Sequence, residues 1–189
     1  MKVYFGSSPR TKEKYPDNIK SIYEKIKKMG YVHTSDWVYK ISPEEFYALS
    51  DKEMEKHHKE MMASIKRADI CVFEVSVHSL SVGYLVNFSL ETGKTVVVVS
   101  KNNSSLFLFK NINSDRLITA TYSDSNLDEK IGEALESASK GVDVRFNFFV
   151  SSKILAYLDW IAKTKRVPRS VFLRNLIERE MKKDKGFRE

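Results

Sequence analysis

The chain carries one cysteine, four prolines and seven glycines in 189 residues, and these shortages exclude several classes. The lone thiol, Cys71, has no second cysteine for an internal disulfide. Set in an apolar strand, it reads as a buried core thiol in a reducing, cytoplasmic setting. Met1–Phe5 reads as a strand start, not as a basic-then-apolar leader. The longest apolar runs fall far short of the roughly 20 residues that a membrane span needs, so no membrane partner is expected. There is no internal repeat, no low-complexity tract, no P-loop and no G-x-G-x-x-G. The adjacent histidines of "EKHHKE" (Glu55–Glu60) point in different directions on a helix, and His33 and His78 have no cysteine or acid pattern around them. Neither a metal nor any other cofactor is expected.

What is present is basic and unevenly placed. The formal net charge is +7. Residues 1–140 hold 20 Lys+Arg against 19 Asp+Glu, whereas residues 141–189 hold 12 against 6. The excess therefore sits in the last quarter, as in an appended module with a polyanionic partner, most simply nucleic acid. The apolar fraction of 42% suffices for a core.

Strand and helix signals alternate along residues 1–138. "KVYF" (Lys2–Phe5), Tyr31–His33, "DICVFEV" (Asp69–Val75), "TVVVVS" (Thr95–Ser100) and "LITATY" (Leu117–Tyr122) read as strands. A Gly/Ser/Pro turn follows the first. Ile19, Ile22, Tyr23, Ile26 and Met29 recur at helical spacing in Pro16–Met29, with Gly30 as the stop. Asp51–Ala68, Gly83–Thr92 and Leu127–Ser137 read as further helices. The expected class is α/β, with a mainly parallel sheet flanked by helices. A polar linker is expected at 139–142, and a second domain at 143–189.

That second domain has its own pattern. Val144, Phe146, Phe148 and Val150 alternate with Arg145, Asn147 and Phe149, as in a strand with one apolar face. Ser151 or Ser152 caps a helix carrying Ile154, Leu155, Leu158, Ile161 and Ala162 on one stripe. Ser170 caps another, with Phe172, Leu173, Leu176 and Ile177 inward. One strand and two short helices cannot bury a core alone. Two copies, with strands paired antiparallel and helices interlocked, can. Residues 143–183 resemble the ribbon-helix-helix repressors of the Arc and MetJ type. The resemblance implies a homodimer or larger homo-oligomer that inserts its ribbon into the DNA major groove. Arg145, Asn147 and Phe149 fall at the base-reading positions, although Phe149 departs from the usual polar third reader. Arg169 and Ser170 fall at the phosphate clamp. The resemblance also admits a dimerisation domain without DNA contact, and an antitoxin with a toxin partner.

In the first domain, "KVYFGSSPR" (Lys2–Arg10), "GYVHTSDWV" (Gly30–Val38) and "ADICVFEVSVHSLSVGYLVNFSLETGKTVVVVSK" (Ala68–Lys101) resemble the nucleoside 2-deoxyribosyltransferases, and within them the 2'-deoxynucleoside 5'-phosphate N-hydrolases. The resemblance implies a Rossmann-like fold with a nucleoside pocket at the carboxyl ends of the strands. Gly6, Ser7, Ser8 and Arg10 match the pocket-lining loop after the first strand. Glu74, Ser76, Ser79 and Gly83 match the loop that holds the sugar and phosphate side. Tyr4, Phe5 and Tyr15 are candidates to touch a bound base. The family's nucleophilic glutamate falls on Leu85 and its assisting aspartate on Met61, so no catalytic residue is carried over.

Those observations predict a DNA-binding transcriptional regulator with a catalytically degenerate domain. That domain serves as a sensor of a nucleoside or nucleotide effector, or as an oligomerisation platform. The alternative is an N-glycosidase or deoxyribosyltransferase with relocated acids, whose mark would be a carboxylate in the pocket near Leu85. Of the nearby acids, Glu91 faces elsewhere on its helix, Glu60 requires a local helix shift, and Glu74 matches a supporting residue.

Overall fold

The protein is described by a computed structural model covering residues 1–140, 149–165, 167–184 and 186. It divides into two compact units, Met1–Asp143 and Val144–Glu189.

The first unit is built on five parallel strands: β1 (Lys2–Ser7), β2 (Val32–His33), β3 (Ile70–Glu74), β4 (Thr95–Ser100) and β5 (Leu117–Thr121), in spatial order β2-β1-β3-β4-β5. The register pairs Phe5 with Val72, Val72 with Val97 and Val97 with Ile118. Every residue of β3 and β4 is buried, as the unbroken Val/Ile runs of a sheet covered on both faces require. The period-2 alternation of strand side chains divides the apolar core in two. Val3, Phe5, Ile70, Val72, Val97 and Val99 face one side. Tyr4, Cys71, Phe73, Val96 and Val98 face the other.

Helices cover each side. On the first lie α2 (Pro16–Lys28), through Ile19, Ile22 and Ile26, and α8 (Leu127–Lys140), through Ile131 and Leu135. On the second lie α5 (Asp51–Arg67), through Ile65, and α6 (Leu80–Glu91), through Val82, Leu85 and Val86. Ile19, Ile22, Ile26, Ile65 and Ile131 are each at most 1% exposed. Burial of each contributes about 1.5–3 kcal/mol before chain entropy is counted. Gly30 ends the α2 segment with φ +83° and Gly93 the α6 segment with φ +76°, a backbone region that glycine enters without a Cβ clash.

Several boundaries differ from the sequence reading. α6 begins at Leu80 and not at Gly83, because Ser79 accepts the Val82 N–H at its cap. α8 continues to Lys140, so residues 139 and 140 of the expected linker are helical. The turn after β1 contains a short helix, α1 (Pro9–Lys14), capped by Ser8, whose hydroxyl accepts the Thr11 N–H at 3.1 Å. Between β2 and α5 lie α3 (Trp37–Lys40) and α4 (Pro43–Tyr47), and after β4 a 3-10 turn (Asn103–Leu106) leads into α7 (Phe107–Lys110). α3, α4 and α7 have four or five residues each, too few for a periodic pattern to form.

The second unit contains α9 (Ser152–Lys165) and α10 (Arg169–Met181). Ser151 caps α9, its hydroxyl accepting the Ile154 N–H at 3.4 Å. α10 starts one residue before the expected cap. Pro168 C=O accepts the Phe172 N–H, which leaves Ser170 inside the helix. Leu158 and Ile161 are buried, but Ile154, Leu155, Leu176 and Ile177 are exposed. The inward packing expected of Leu176 and Ile177 is that of two paired copies; in the single chain both are exposed. Arg145 and Asn147 lie outside the described residues, as does most of the expected strand. Phe149 is fully exposed. Among the described residues no helix is long and apolar enough to cross a membrane.

Candidate functional site

In a parallel sheet ordered 2-1-3-4-5, the connections leaving β1 and β3 depart to opposite faces. The crevice between their carboxyl ends is where such folds take ligands. A cleft of about 760 Å³ opens there, within the range of small-ligand sites. Ser7 at the end of β1, Ser8 after it and Arg10 in the first turn of α1 form one side. Ser79, Ser81, Val82 and Leu85 from the start of α6 form another. α5 supplies Met54, Glu55, His57, His58 and Met61, and Phe46 and Tyr47 of α4 close the rim. An inner slot of about 70 Å³ adjoins it, floored by Tyr4, Phe5 and Gly6 and walled by Trp37 and Val38. Gly6 is there because the Tyr4 ring needs the space: a Cβ on Gly6 would come within 2.9 Å of Tyr4 and 3.2 Å of Phe73.

The two positions singled out by their missing carboxylates meet in this cleft. Met61 and Leu85 line both compartments. Gly6 lines the slot, Ser7 and Ser8 line both spaces, and Arg10 and Ser79 line the cleft. Glu74, Ser76 and Gly83 line neither. Tyr4 and Phe5 reach the slot, whereas Tyr15 does not. Its ring instead lies under the Lys14 and Lys101 ammonium groups, at 5.4 and 5.0 Å.

Several serines already use their hydroxyls. Ser7 Oγ donates to Glu74 C=O at 3.0 Å, tying β1 to β3, and Ser8 Oγ caps α1. Arg10 donates to His78 C=O at 2.9 Å, which holds the guanidinium across the cleft between the two connections. The N–H groups of Leu80 and Ser81 have no intrahelical acceptor at the start of α6. Lys12, at the slot, donates to the carbonyls of Tyr39 and Ile41 at 2.8 and 2.6 Å. Burial lowers its pKa from the ordinary lysine value.

Glu74 and Ser76 form a buried knot at the end of β3. The Ser76 N–H meets both Glu74 carboxylate oxygens at 3.2 Å, and the Ser76 hydroxyl donates to one of them. Tyr122, just past β5, donates to the same carboxylate at 3.0 Å. Ser76 Oγ in turn accepts the Lys101 N–H at 2.7 Å, and Ser76 C=O accepts from Asn102 and Ser105. Desolvation raises the Glu74 pKa above the ordinary carboxylate value and outweighs these hydrogen bonds. Desolvation also raises Tyr122, with the Glu74 charge adding to it. Burial pushes the Cys71 thiol up to about 12, as its place in the core requires.

Both adjacent histidines line the cleft, although neighbours on a helix diverge by about 100°. His57 lies over Trp37, ring centroids 3.6 Å apart, with Phe46 edge-on at 5.8 Å. Burial lowers its pKa, and its Nδ1 is buried without a hydrogen bond. His58 turns toward Tyr84, 6.5 Å away. Among the described residues no three His, Cys, Asp or Glu side chains gather as a metal ion would require.

Sequence reasoning missed the aromatic wall of Trp37, Phe46 and His57. A local signal for part of it was present. "SPEE" at Ser42–Glu45 is a capping box, and Ser42 accepts the Glu45 N–H at 3.1 Å while Glu45 accepts the Ser42 N–H at 2.7 Å. That signature marks α4, which carries Phe46.

No family model matches the chain, and no curated protein matches it. Among solved structures, a CMP N-glycosidase of Clostridium botulinum, BcmB, is similar at 12% identity, covering 72% of this chain and 98% of that one, with a TM-score of 0.49. A de novo designed Rossmann 2x3 fold protein is similar at 15% identity, covering 79% of this chain and 98% of that one, with a TM-score of 0.43. The Rossmann-like description of the first unit stands on its own strand order and parallel register.

Proposed function

We propose that the first unit binds a nucleoside or nucleotide in the cleft at the carboxyl ends of β1 and β3, in the manner of an N-glycosidase-type domain. The observation that carries this reading is the gathering of Ser7, Ser8, Arg10, Ser79, Met61 and Leu85 around one cleft at the sheet's switch point. The faces of Phe46 and His57 suit a flat heterocycle. Arg10 and the free N–H groups of Leu80 and Ser81 suit a phosphate. The deoxyribosyltransferase-like stretches of the sequence point to the same ligand class.

The test is a thermal-shift titration of the full chain with nucleosides and their 5'-monophosphates. Nucleotides should raise the melting temperature, as any ligand that binds only the folded state does. Arg10→Ala should weaken the monophosphate by about tenfold, a typical value for a charge-assisted contact, and leave the nucleoside unchanged. No shift with any member of the panel would remove the reading.

For the second unit the favoured reading is a homodimeric ribbon-helix-helix module that binds double-stranded DNA, with Arg145 and Asn147 as base readers and Arg169 near phosphate. It is supported by the order of α9 and α10 after the alternating stretch, within the basic last quarter of the chain. It is supported also by the apolar residues Ile154, Leu155, Leu176 and Ile177, which stand exposed in a single copy. Arg145→Ala should cost roughly 1–3 kcal/mol on a selected duplex and far less on random duplex, read by fluorescence anisotropy. Equal affinity of the parent and an Arg145→Ala/Asn147→Ala variant would exclude base reading by the ribbon. Together the two readings describe a regulator whose first unit senses a nucleotide.

A further inference from the structure

The wall of the slot rests on α3, and α3 cannot hold itself in place. It has four residues, none of them fully buried, and a single turn is too short to be stable alone. Side chains from three other helices reach it. From α5, His57 lies over Trp37 at 3.6 Å. From α2, Tyr23 stacks on Tyr39 at 4.4 Å and donates to Asp36, the cap of α3, at 2.6 Å. From α1, Lys12 holds the Tyr39 and Ile41 carbonyls. The Tyr23 ring is itself backed by His33 of β2, with ring centroids 3.8 Å apart and planes 5° from parallel.

The two imidazoles in this set share one feature. Both His33 and His57 bury Nδ1 with no hydrogen-bond partner among the described residues. His33 Nε2 lies 3.0 Å from Tyr23 C=O, which puts the ring proton on Nε2 and leaves Nδ1 bare. An imidazolium carries an N–H on both nitrogens. A proton arriving at either Nδ1 would therefore meet no acceptor, and a buried donor without one destabilises the arrangement that holds it. The charges nearby are of both signs. Around His33, Asp36 and Glu24 favour the charged ring and Lys27 opposes it. Around His57, Glu60 favours it, His58 opposes it, and Lys12 lines the same slot. Burial outweighs the favourable charges in both and lowers each pKa from the ordinary histidine value.

We propose that His33 and His57 form a proton-sensitive clasp on α3, closed while both rings are neutral and loosened by acid, so that the nucleotide cleft loses its Trp37 wall as pH falls. The inference rests on the nucleotide-binding reading above and adds regulation to it. Because the folded pKa values are lowered, the stabilisation by the closed clasp is fully present above the ordinary histidine value of about 6.5. It is lost as pH falls through the folded values.

The test is hydrogen exchange of the α3 amides in the full chain, comparing wild type with variants at equal pH so that intrinsic rates cancel. The Tyr39, Lys40 and Ile41 N–H groups, bonded to the Asp36 and Trp37 carbonyls, report on the wall without any ligand. At about pH 7.5, wild type and His33→Gln/His57→Phe should protect them equally, and at about pH 5.5 wild type should exchange roughly tenfold faster. Histidine titration of wild type by NMR, which needs no variant, should place both pKa values below the ordinary value. Affinity for a nucleoside 5'-monophosphate over the same interval should fall by about tenfold more in wild type than in His33→Gln. The phosphate itself titrates near pH 6, roughly, and does so equally in both. Equal exchange by wild type and the double variant in acid overturns the clasp. So does either pKa above the ordinary value, the result expected if the Tyr23 and Trp37 faces held an imidazolium as a cation. A responsive α3 with equal pH dependence of affinity in wild type and His33→Gln overturns the link to the cleft. A responsive α3 in a chain that binds no nucleotide at any pH overturns the binding reading alone.

Discussion

The two units bury their apolar residues to very different degrees. In the first, the large core residues Phe5, Phe73, Ile22 and Leu135 are at most 1% exposed, sealed between a sheet and helices on both faces. In the second, Ile154, Trp160 and Ile177 are each about half exposed or more. A helix that leaves such residues in water has not finished its packing. The described residues of the second unit thus lack the sealed core of the first. Among the described residues of α9 and α10, Leu158 and Ile161 alone are buried.

Mutational cost can break that contrast. Phe73→Ala should destabilise the first unit by about 3–5 kcal/mol in denaturant unfolding, because it empties a site that the sheet cannot close. Glu74→Gln should have a smaller effect, legible in its pH dependence. The folded-state pKa of Glu74 is raised, so the proton-linked stability is fully present below the ordinary carboxylate value and is lost as pH rises through the folded value. Melting temperature measured across that window should slope downward in the parent and flatten in Glu74→Gln. A parent that gains stability over the same window would contradict a desolvated carboxyl. The smallest effect should come from Ile177→Ala at high dilution, within about 0.5 kcal/mol. At high concentration the same change should shift the second unit's melting if a second copy covers that face. A cost for Ile177→Ala equal to that for Phe73→Ala at every dilution would erase the distinction between the units.

The sheet was legible because β-branched runs such as "TVVVVS" write both their extension and their two-sided burial into composition. The cleft was legible only where local signals met it. Ser79 and Arg10 sit on connections that any parallel sheet exposes at its carboxyl edge. Glu55 was not. Its place on the cleft depends on how α5 lies against the sheet, and α3 and α4, too short to leave a pattern, precede it. Glu74 was read as a ligand residue because its position on a strand end matched one. Its partner Tyr122 lies 48 residues away, and no local pattern joins them. The end of α8 was misplaced because small polar residues such as Ser137 and Ser139 suit a helix terminus and a linker alike.

The Glu74–Ser76 knot has a consequence for how a guest would be received. Residue 76 is gripped from β3, from the residue after β4, from the 3-10 turn and, through the shared carboxylate, from Tyr122 beyond β5. The connection to α6 is therefore tied at four points, on the side of the cleft that Ser79 and Ser81 line. Opposite it, α4 is a single short turn that follows the end of α3, whose Tyr39 and Ile41 carbonyls accept from Lys12. A molecule entering between them meets a braced connection on one side and a short helix carrying Phe46 and Tyr47 on the other.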